Sequence, residues 1–578
     1  MRSIWSNPLF RSRYPLAIVA GLVLSAAFPD LGVAGLAWVA PGMMLAVALG
    51  KDSGETFRIG YVGGLSHYLS MLYWLLLIPY RWHGVPLAPA LGWLALSAFL
   101  ALFPATWVWL IAGAQVRPNH RVAASGPGDA EAGDEPQASI PPRTWAGRVV
   151  WALAGAAIWV ALEMILARIL GGFPWELLGA SQYRMVPLIQ LASVTGVYGV
   201  SFLVIWLSLS LLSAGLMVIR RPTARSIWVA ELFLPIVVIA VLFNLGLRRA
   251  AHEPAPVRTL KAILVQPSVP QTLIWDAAKN DQRFQGLLRL SEEALSQHTA
   301  DLMIWPEAAV PKLLRYDQAT FDAITGLARR HHTWLIVGSD DAEPRRNPSN
   351  PDDADYFNSS FLISPEGRLV QRYIKRNLVI FGEYIPLLDW FPFLTYFTPI
   401  QGGFTPGKGP VQFNLKSLNL QTSVLICFED TFPQLARTDV GPETDFLVNI
   451  TNDGWFDHGP AQWQQATTAI FRAVENGLPL IRCSNNGVTC WIDAAGRLRQ
   501  VFLDEQGSIY GAGYLAADIP LPSPDEPHLL TFYTRHGDWF GWSCVIVAGW
   551  LLLRRFARII RDRPPSLLRA LAGFRRAS

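Results

Sequence analysis

Three extended segments of the sequence each lead directly into a residue that could take part in chemistry on an acyl group. Glu307 follows the apolar run Leu302–Trp305, Cys427 follows the run Ser423–Ile426, and Lys375 follows a further extended stretch. In open α/β sheets, functional side chains gather beyond the carboxyl ends of strands. We therefore expect one carboxylate, one amine and one thiol to meet at a single rim.

These three functional groups would complement one another. A deprotonated thiol attacks acyl carbon well, a buried carboxylate can take its proton and return it, and an ammonium can stabilise charge on the carbonyl oxygen. Alone, Cys427 could be a packing residue and Glu307 a carboxylate at a helix N-terminus. Lys375 lies beside Arg372 and Arg376 and could belong to a solvated basic patch. The occurrence of all three together is what indicates nucleophilic catalysis.

The polar part of the chain, from Leu260 to about Pro520, has the pattern of a globular α/β domain. Short apolar runs predict strands at Leu260–Gln266, Leu302–Trp305, Trp334–Gly338, Asn358–Ile363, Ser423–Ile426, Phe446–Asn449 and Leu480–Cys483. Amphipathic stretches predict helices at Asp281–Gln297, Thr320–His332 and Gln462–Asn476. Because the strands are mostly apolar along their length, we expect a sheet covered on both faces.

The composition places much of the remaining chain in a membrane. Of 578 residues, 51% are hydrophobic and only 16% are charged, against about 25% charged in an ordinary soluble domain. This excludes a disordered, a fibrous or a purely soluble protein. The net charge of +4 is too small to argue for a nucleic-acid partner, and four cysteines cannot form a disulfide framework.

Eight apolar runs could each cross a bilayer, which takes a helix of ~20 residues. They lie at about 14–30, 32–50, 59–79, 87–115, 148–170, 187–219, 227–247 and 539–560. Basic residues concentrate in alternate loops, which predicts that both termini are cytoplasmic. The predicted domains are a bundle over 1–249 with about seven helices, an outer domain over 250–535, and a last helix with a basic tail over 536–578. Residues 118–142 are expected to form a disordered cytoplasmic loop, and the first run to be an uncleaved helix rather than a signal peptide.

Several motifs occur together and in one order. They are Trp305-Pro306-Glu307, Lys375, Phe381-Gly382-Glu383 and Cys427-Phe428-Glu429. To these are added Val265-Gln266, Pro270-Gln271, Trp275, Asn452-Asp453-Gly454-Trp455-Phe456, Arg482 and Ser484-Asn485-Asn486-Gly487. The first set resembles the Glu-Lys-Cys signature of the carbon–nitrogen hydrolase (nitrilase) superfamily. With the membrane bundle, the whole chain resembles the apolipoprotein N-acyltransferase family of that superfamily.

The resemblance implies an α/β fold joined to membrane α-helices: a nitrilase-like αββα sandwich in the periplasm, seated on about eight transmembrane helices of a bacterial inner membrane. It implies ping-pong acyl transfer, in which a phospholipid, typically phosphatidylethanolamine, acylates the thiol and leaves as lysophospholipid. The thioester then gives its chain to the α-amine of the diacylglyceryl-cysteine that begins an apolipoprotein. No cofactor and no metal are expected, and the enzyme is expected to act as a monomer.

By position, the resemblance makes Cys427 the nucleophile, Glu307 the general base and Lys375 the oxyanion stabiliser. Glu383 would orient Lys375 or share the proton transfer. Supporting or substrate-binding roles are implied for Trp275, Phe428, Glu429, Asn452 and Trp455. Trp275 would belong to a mobile arm that touches lipid.

Two positions depart from the family pattern. Tyr often follows the catalytic Cys, but Phe428 stands here, so we expect the ring to matter more than a hydroxyl. A basic residue often precedes the arm tryptophan, but Ile274 stands here, which removes the support for a head-group role at that position. The apolar segment Leu387–Ile400 could dip into the membrane interface, or it could pack within the domain or on the helices.

Other interpretations stay open at the level of sequence. The sequence has no HExxH or paired CxxC motif to argue for a metal. Cys483 and Cys490 could form a disulfide or remain two free buried thiols. A membrane-tethered amidase or nitrilase would use the same triad with water as acceptor, although a soluble substrate needs no bundle. A non-catalytic receptor that sorts lipoproteins would have no need of all three triad residues.

Overall fold

Among the residues that the structure describes, the first part of the chain contains helices, and the second part contains strands that alternate with helices. The computed structural model describes residues 12–78, 87–112, 142, 144–223, 225–251, 258–274, 276–345, 354–388, 390–397, 403–522 and 529–561. The predicted loop at 118–142 lies outside these residues, apart from its last one.

The helices are numbered in chain order. They are Tyr14–Ser25 (α1), Ala40–Ala48 (α2), Ser53–Met71 (α3), Ala88–Leu100 (α4), Leu102–Ala112 (α5), Trp145–Leu166 (α6), Val186–Ile189 (α7), Ala192–Thr195 (α8), Val197–Arg220 (α9), Arg225–Ala251 (α10), Gln271–Ile274 (α11), Asn280–Gln297 (α12), Gln318–His331 (α13), Pro433–Thr438 (α14), Ala461–Asn476 (α15), Phe532–His536 (α16) and Trp539–Arg561 (α17).

Among the described residues, five helical segments are long and apolar enough to cross a membrane. They are Ala88–Ala112, Trp145–Leu166, Val197–Arg220, Ser226–Ala251 and Trp539–Ala557. These segments correspond to the last five predicted runs, whereas the first three runs differ from the prediction. The run at 14–30 contains a helix of 12 residues, and the run at 32–50 breaks at a 3-10 turn before α2.

Helix α3 lies where the third apolar run, 59–79, was predicted. Its packing explains why it is less apolar than a helix that faces lipid. A methyl group on Gly60 would lie 2.8 Å from Cβ of Val108 on α5, so the two helices are in close contact. Small residues allow this close approach between membrane helices. A helix that faces protein on its glycine side does not need the continuous apolar surface of one that faces lipid.

The strands form two six-stranded sheets. They are Arg258–Gln266 (β1), Leu302–Ile304 (β2), Trp334–Pro344 (β3), Ala354–Ile363 (β4), Leu369–Ile374 (β5), Gln412–Leu415 (β6), Leu420–Ile426 (β7), Phe446–Thr451 (β8), Leu480–Ser484 (β9), Cys490–Ile492 (β10), Leu498–Val501 (β11) and Gly513–Leu521 (β12). The first sheet has the order β12-β1-β2-β3-β4-β5 and the second β11-β10-β9-β8-β7-β6. Within them β1, β2 and β3 run parallel, as do β7, β8 and β9.

The two sheets pack face to face, with helices on both outer sides. Leu264 of the first sheet and Val424 of the second share the core between the sheets. Phe284 of α12 and Leu327 of α13 cover the outer face of the first sheet. Ile470 of α15 packs with strands of the second sheet and also with residues of the membrane helix α9. The domain is therefore the expected αββα sandwich, and α15 is the layer by which it contacts the bundle.

The seven strands and three helices predicted from periodicity are all present, with ends that differ by a few residues and with β3 extended to Pro344. Strands β5, β6, β10, β11 and β12 have no counterpart among the seven predicted strands, although an extended stretch was expected before Lys375. Most of these are short or partly exposed, so their sequences lack a continuous apolar run. Cys483 and Cys490 are both buried and both free, so the disulfide alternative is not formed in this structure.

Candidate active site

Three strand ends carry the side chains that the sequence analysis put together. Glu307 lies three residues after the end of β2, Lys375 directly after β5, and Cys427 directly after β7. β2 and β5 belong to the first sheet and β7 to the second, so both sheets supply residues of the site. The structure brings the three groups together, since the charges of Glu307 and Lys375 act on the Cys427 thiol.

A buried carboxylate–ammonium cluster forms the centre of the site. The ammonium Nζ of Lys375 lies 2.9 Å from Oε1 of Glu383 and 3.1 Å from Oε1 of Glu307. Asn358 donates from Nδ2 to each of these two oxygens at 2.7 Å. Burial opposes the charge on Lys375, but Glu307 and Glu383 raise the pKa of its ammonium well above the ordinary value. The lysine therefore stays charged although only 1% of it is exposed.

The second oxygen of Glu307 is held by the chain that follows β8. The backbone N–H of Asn452 donates to Oε2 of Glu307 at 3.0 Å. The Asn452 side chain is itself fixed, since Nδ2 donates to Gln271 at 2.8 Å and Oδ1 accepts from Asn485 at 2.9 Å. With donors on both oxygens, Glu307 has a fixed orientation, as a general base requires.

Cys427 occupies a strained turn. Its φ of +52° places it in the left-handed region, at the start of a 3-10 helix over Cys427–Thr431. Such a conformation costs ~1–3 kcal/mol for a residue with a side chain and persists only where its surroundings enforce it. Asn449 contributes by donating from Nδ2 to the Cys427 carbonyl at 3.1 Å.

The electrostatics of the site keep the thiol protonated at rest. Burial raises the pKa of the Cys427 thiol above its usual range, the Glu307 charge raises it further, and Lys375 opposes them only in part. A thiol in this environment needs a base at the moment of attack, and the carboxylate whose charge it senses is the one available to accept the proton.

Glu429 joins the segment of Lys375 to the turn of Cys427. Its Oε1 accepts the backbone N–H groups of Arg376 at 2.7 Å and Asn377 at 3.1 Å, directly after the lysine. Its Oε2 accepts the backbone N–H of Ile426 at 2.8 Å, directly before the cysteine. The carboxylate also accepts the Tyr373 hydroxyl on both oxygens. This buried side chain thus fixes the distance between two strand ends in different sheets.

Aromatic rings from both parts of the chain meet next to the thiol. We call this group the aromatic wall; its members are Trp74, Phe173, Trp175, Phe428 and Phe456. The Phe428 ring lies 6.0 Å from Trp175 and 5.8 Å from Phe173, while Trp74 lies 4.5 Å from Phe456 and 5.1 Å from Trp175. Phe428 and Phe456 pack against the core of the membrane bundle. The residue after the candidate nucleophile is therefore in direct contact with the membrane bundle.

The remaining predicted residues lie in different places. Trp455 lies in the turn Asp453–Phe456 beside Asn452 and is half-buried. Trp275 lies outside the described residues. Leu387 and Trp390 are 64% and 81% exposed, which places these two residues of the predicted interfacial segment outside the domain core.

Several site residues were missed by the sequence analysis. Asn358 bridges two carboxylates and is a buried polar residue on an apolar strand, which is the signal that could have revealed it. Asp340, opposite Asn358 on β3, is a further carboxyl group of the cluster. Burial and the charges of Glu307 and Glu383 raise the pKa of Asp340 to about 7. Among the described residues, no group of three or more His, Cys, Asp or Glu is arranged to hold a metal ion.

Two family models match the chain. The one described as carbon-nitrogen hydrolase matches residues 262–517, and the one described as apolipoprotein N-acyltransferase N-terminal domain matches residues 20–210. An apolipoprotein N-acyltransferase of Geobacter metallireducens is 32% identical over 95% of this chain and 96% of that protein. One of Vibrio cholerae is 28% identical over 94% and 97%, respectively. The solved structure of the NitN amidase from Neterenkonia sp. AN1 is 16% identical, with a TM-score of 0.34, over 48% of this chain and 96% of its own.

Proposed function

This chain belongs to the apolipoprotein N-acyltransferase family, and from that premise we propose that it transfers the acyl chain through a thioester on Cys427. The protein is a membrane acyltransferase that acylates lipoproteins at their N-terminus. The observation that carries the proposal is the position of Cys427. Its thiol lies beside the Glu307–Lys375 pair, and its neighbour Phe428 packs against the core of the bundle.

The first half-reaction takes the acyl chain from a phospholipid, for which phosphatidylethanolamine is the proposed donor. The sulfur of Cys427 attacks the ester carbonyl carbon while Glu307 accepts the thiol proton. Negative charge develops on the carbonyl oxygen, where the Lys375 ammonium stabilises it. The ester C–O bond then breaks, Glu307 returns the proton to the departing oxygen, and lysophospholipid leaves. Glu383 and Asn358 keep Lys375 and Glu307 in place throughout.

The second half-reaction passes the chain to the α-amine of the diacylglyceryl-cysteine on the apolipoprotein. The amine nitrogen attacks the thioester carbon, Glu307 accepts an amine proton, and the C–S bond breaks. The proton then returns to the sulfur, which restores the enzyme. Both substrates are held in a bilayer by two chains each, and a thiol next to the bundle core suits substrates of that kind. An apolar surrounding also protects the thioester from water.

The position of the domain on the periplasmic face of an inner membrane is part of the proposal. It is supported by the basic loops that alternate along the helical part. A cysteine introduced at the exposed Leu529 should react with a membrane-impermeant maleimide in intact cells, whereas one at Arg221 should react only after lysis. Equal labelling of both positions in intact cells would contradict this orientation.

The thioester is tested by mass spectrometry after incubation of the purified enzyme with phosphatidylethanolamine alone. We expect one acyl mass on the Cys427 peptide, released by hydroxylamine and transferred to a diacylated lipopeptide. Cys427→Ala should abolish the adduct and the lipopeptide product, whereas the matched control Cys544→Ala, in the last helix, should retain both. Normal lipopeptide acylation by Cys427→Ala would refute the assignment. Release of free fatty acid without lipopeptide acylation would favour the amidase function, and lipopeptide binding without acylation would favour a receptor.

A further inference from the structure

A buried glutamine connects the catalytic domain to the aromatic wall. Gln464 lies on α15 and is 1% exposed. Its Oε1 accepts two indole N–H groups, from Trp74 at 3.0 Å and from Trp175 at 2.8 Å. Its Nε2 donates to the backbone carbonyls of Pro29 at 2.9 Å and Met71 at 3.2 Å, both in the helical part. Both polar atoms of the side chain therefore have two hydrogen-bond partners each, and all four partners belong to the membrane bundle.

The two indoles that bond to Gln464 belong to the aromatic wall, next to Phe428, the residue that follows Cys427. Trp175 lies against Phe428 at 6.0 Å, and Trp74 lies against Phe456 at 4.5 Å. A buried indole N–H needs an acceptor, and leaving one without a partner costs ~1–3 kcal/mol. One carbonyl oxygen that serves both indoles therefore fixes their rotation relative to each other. The wall has a defined shape because of this single acceptor.

A cavity borders Trp175. Apolar side chains line one part of it, and the carboxyl groups of Glu163 and Glu176 line another part. In the described structure, one oxygen of each of these two carboxyl groups has no hydrogen-bond partner, so an alkyl chain in the cavity would keep water from both, at a cost of ~1–3 kcal/mol for each. A chain attached to Cys427 and directed along Phe428 is therefore favoured to end at the wall.

We propose that Gln464 is a positioning residue that sets the acyl-chain length the enzyme accepts, by fixing Trp74 and Trp175 in the aromatic wall. This inference rests on the proposed function, because it assumes that the chain lies next to the wall during transfer. A rigid apolar boundary discriminates between chains by single methylene groups, each worth about 10-fold or more in rate. When the two indoles lose their acceptor they can change position, and the enzyme then discriminates less between chain lengths.

The test uses the full-length enzyme with an equimolar mixture of phosphatidylethanolamines that differ only in chain length, in even-carbon steps. The chain-length profile is read by mass spectrometry on the diacylated lipopeptide product, so it does not depend on accumulation of the thioester. For the wild type, we expect the amount of product that carries the longest accepted chain to exceed the amount that carries the next longer chain by about 10-fold or more. For Gln464→Leu we expect this ratio to fall to about threefold or less, with longer chains appearing in the product.

A control variant separates positioning from general stability. Gln182→Leu is the matched control, because Gln182 is also buried and accepts the indole N–H of Trp38 at 2.9 Å, a ring outside the aromatic wall. It should keep the wild-type profile. If Gln464→Leu fails to fold, Trp74→Phe removes one of the two N–H groups, keeps an aromatic ring, and should relax the ratio in the same direction.

The outcomes are distinct. An unchanged profile in Gln464→Leu, or in Trp74→Phe where the first variant does not fold, overturns the inference and leaves the proposed function intact. Equal broadening in Gln182→Leu also overturns it, because the effect would then be general loosening of the bundle. A wild-type enzyme that forms no acylated lipopeptide from any donor contradicts the proposed function and this inference together.

Discussion

Replacing Glu429 by Gln is expected to disable the turn that carries Cys427 while leaving the fold intact. The substitution keeps the size and shape of the side chain but converts one acceptor oxygen into an NH₂ donor. Oε1 serves the N–H groups of Arg376 and Asn377, and Oε2 serves that of Ile426. The amide of the variant can satisfy two donors if its oxygen faces the N–H groups of Arg376 and Asn377. The amide nitrogen then faces the N–H of Ile426, so two donors oppose each other.

The magnitude follows from the bond that is lost. A hydrogen bond to a charged group contributes ~1.5–3 kcal/mol, and an unsatisfied buried donor costs ~1–3 kcal/mol. We therefore expect the free energy of unfolding to fall by about 2–4 kcal/mol. Because Ile426 directly precedes Cys427, the thiol shifts when this bond is broken. A displacement of ~1 Å in a catalytic group slows a reaction by about 10²-fold, and we expect that loss in the rate of thioester formation.

The assay measures acylation of Cys427 over time by mass spectrometry, at a temperature where circular dichroism shows both proteins to be folded. Glu475→Gln is the matched control, since this buried carboxylate also accepts a backbone N–H at 2.9 Å, but from Val197 at the start of the membrane helix α9. The Glu475→Gln variant should lose stability and keep the wild-type rate of Cys427 acylation. Wild-type acylation by Glu429→Gln, or an equal loss of rate in Glu475→Gln, would refute the reasoning.

Two other predictions concern charge in the cluster. Lys375→Met leaves Glu307 and Glu383 buried without their cation, which costs about 3–5 kcal/mol at neutral pH. Thermal unfolding should show this loss of stability, and a variant as stable as the wild type would argue against the ion pairs. Asp340 has a folded-state pKa raised to about 7, so its contribution is present at low pH and disappears as the pH rises through that value. Between about pH 6 and pH 8, Asp340→Asn should therefore gain about 1.4 kcal/mol relative to the wild type, and a constant difference between their unfolding curves would contradict this.

The parts of the fold that sequence could predict are those encoded by local pattern. The strand Leu302–Ile304 and the helix Ala461–Asn476 have periodicities that directly indicate a buried strand and an amphipathic helix. The candidate triad could be named because its three residues each follow an extended run. The ends of the first helices could not be predicted, because Gly60 and its neighbours reflect packing between helices and not contact with lipid.

Polar residues that act through distant partners carry no local signal. In the sequence, Gln464 is one of several polar residues on an amphipathic helix, and only the fold brings it to indoles 390 and 289 residues away. Asn358 likewise gains its meaning from carboxylates on two other segments. The convergence of Glu307 and Cys427 between two sheets depends on how the sheets pair, which periodicity along a single strand does not specify.

The first and last strands of the sandwich are neighbours. β1 and β12 pair antiparallel from Arg258 opposite Leu521 to Gln266 opposite Gly513, so the chain enters and leaves the domain at adjacent positions. Units whose ends lie close together are tolerated as insertions in other chains. The sandwich therefore lies between the membrane helices α10 and α17 as a single block. The helices on either side need to accommodate only the short distance between two paired strands.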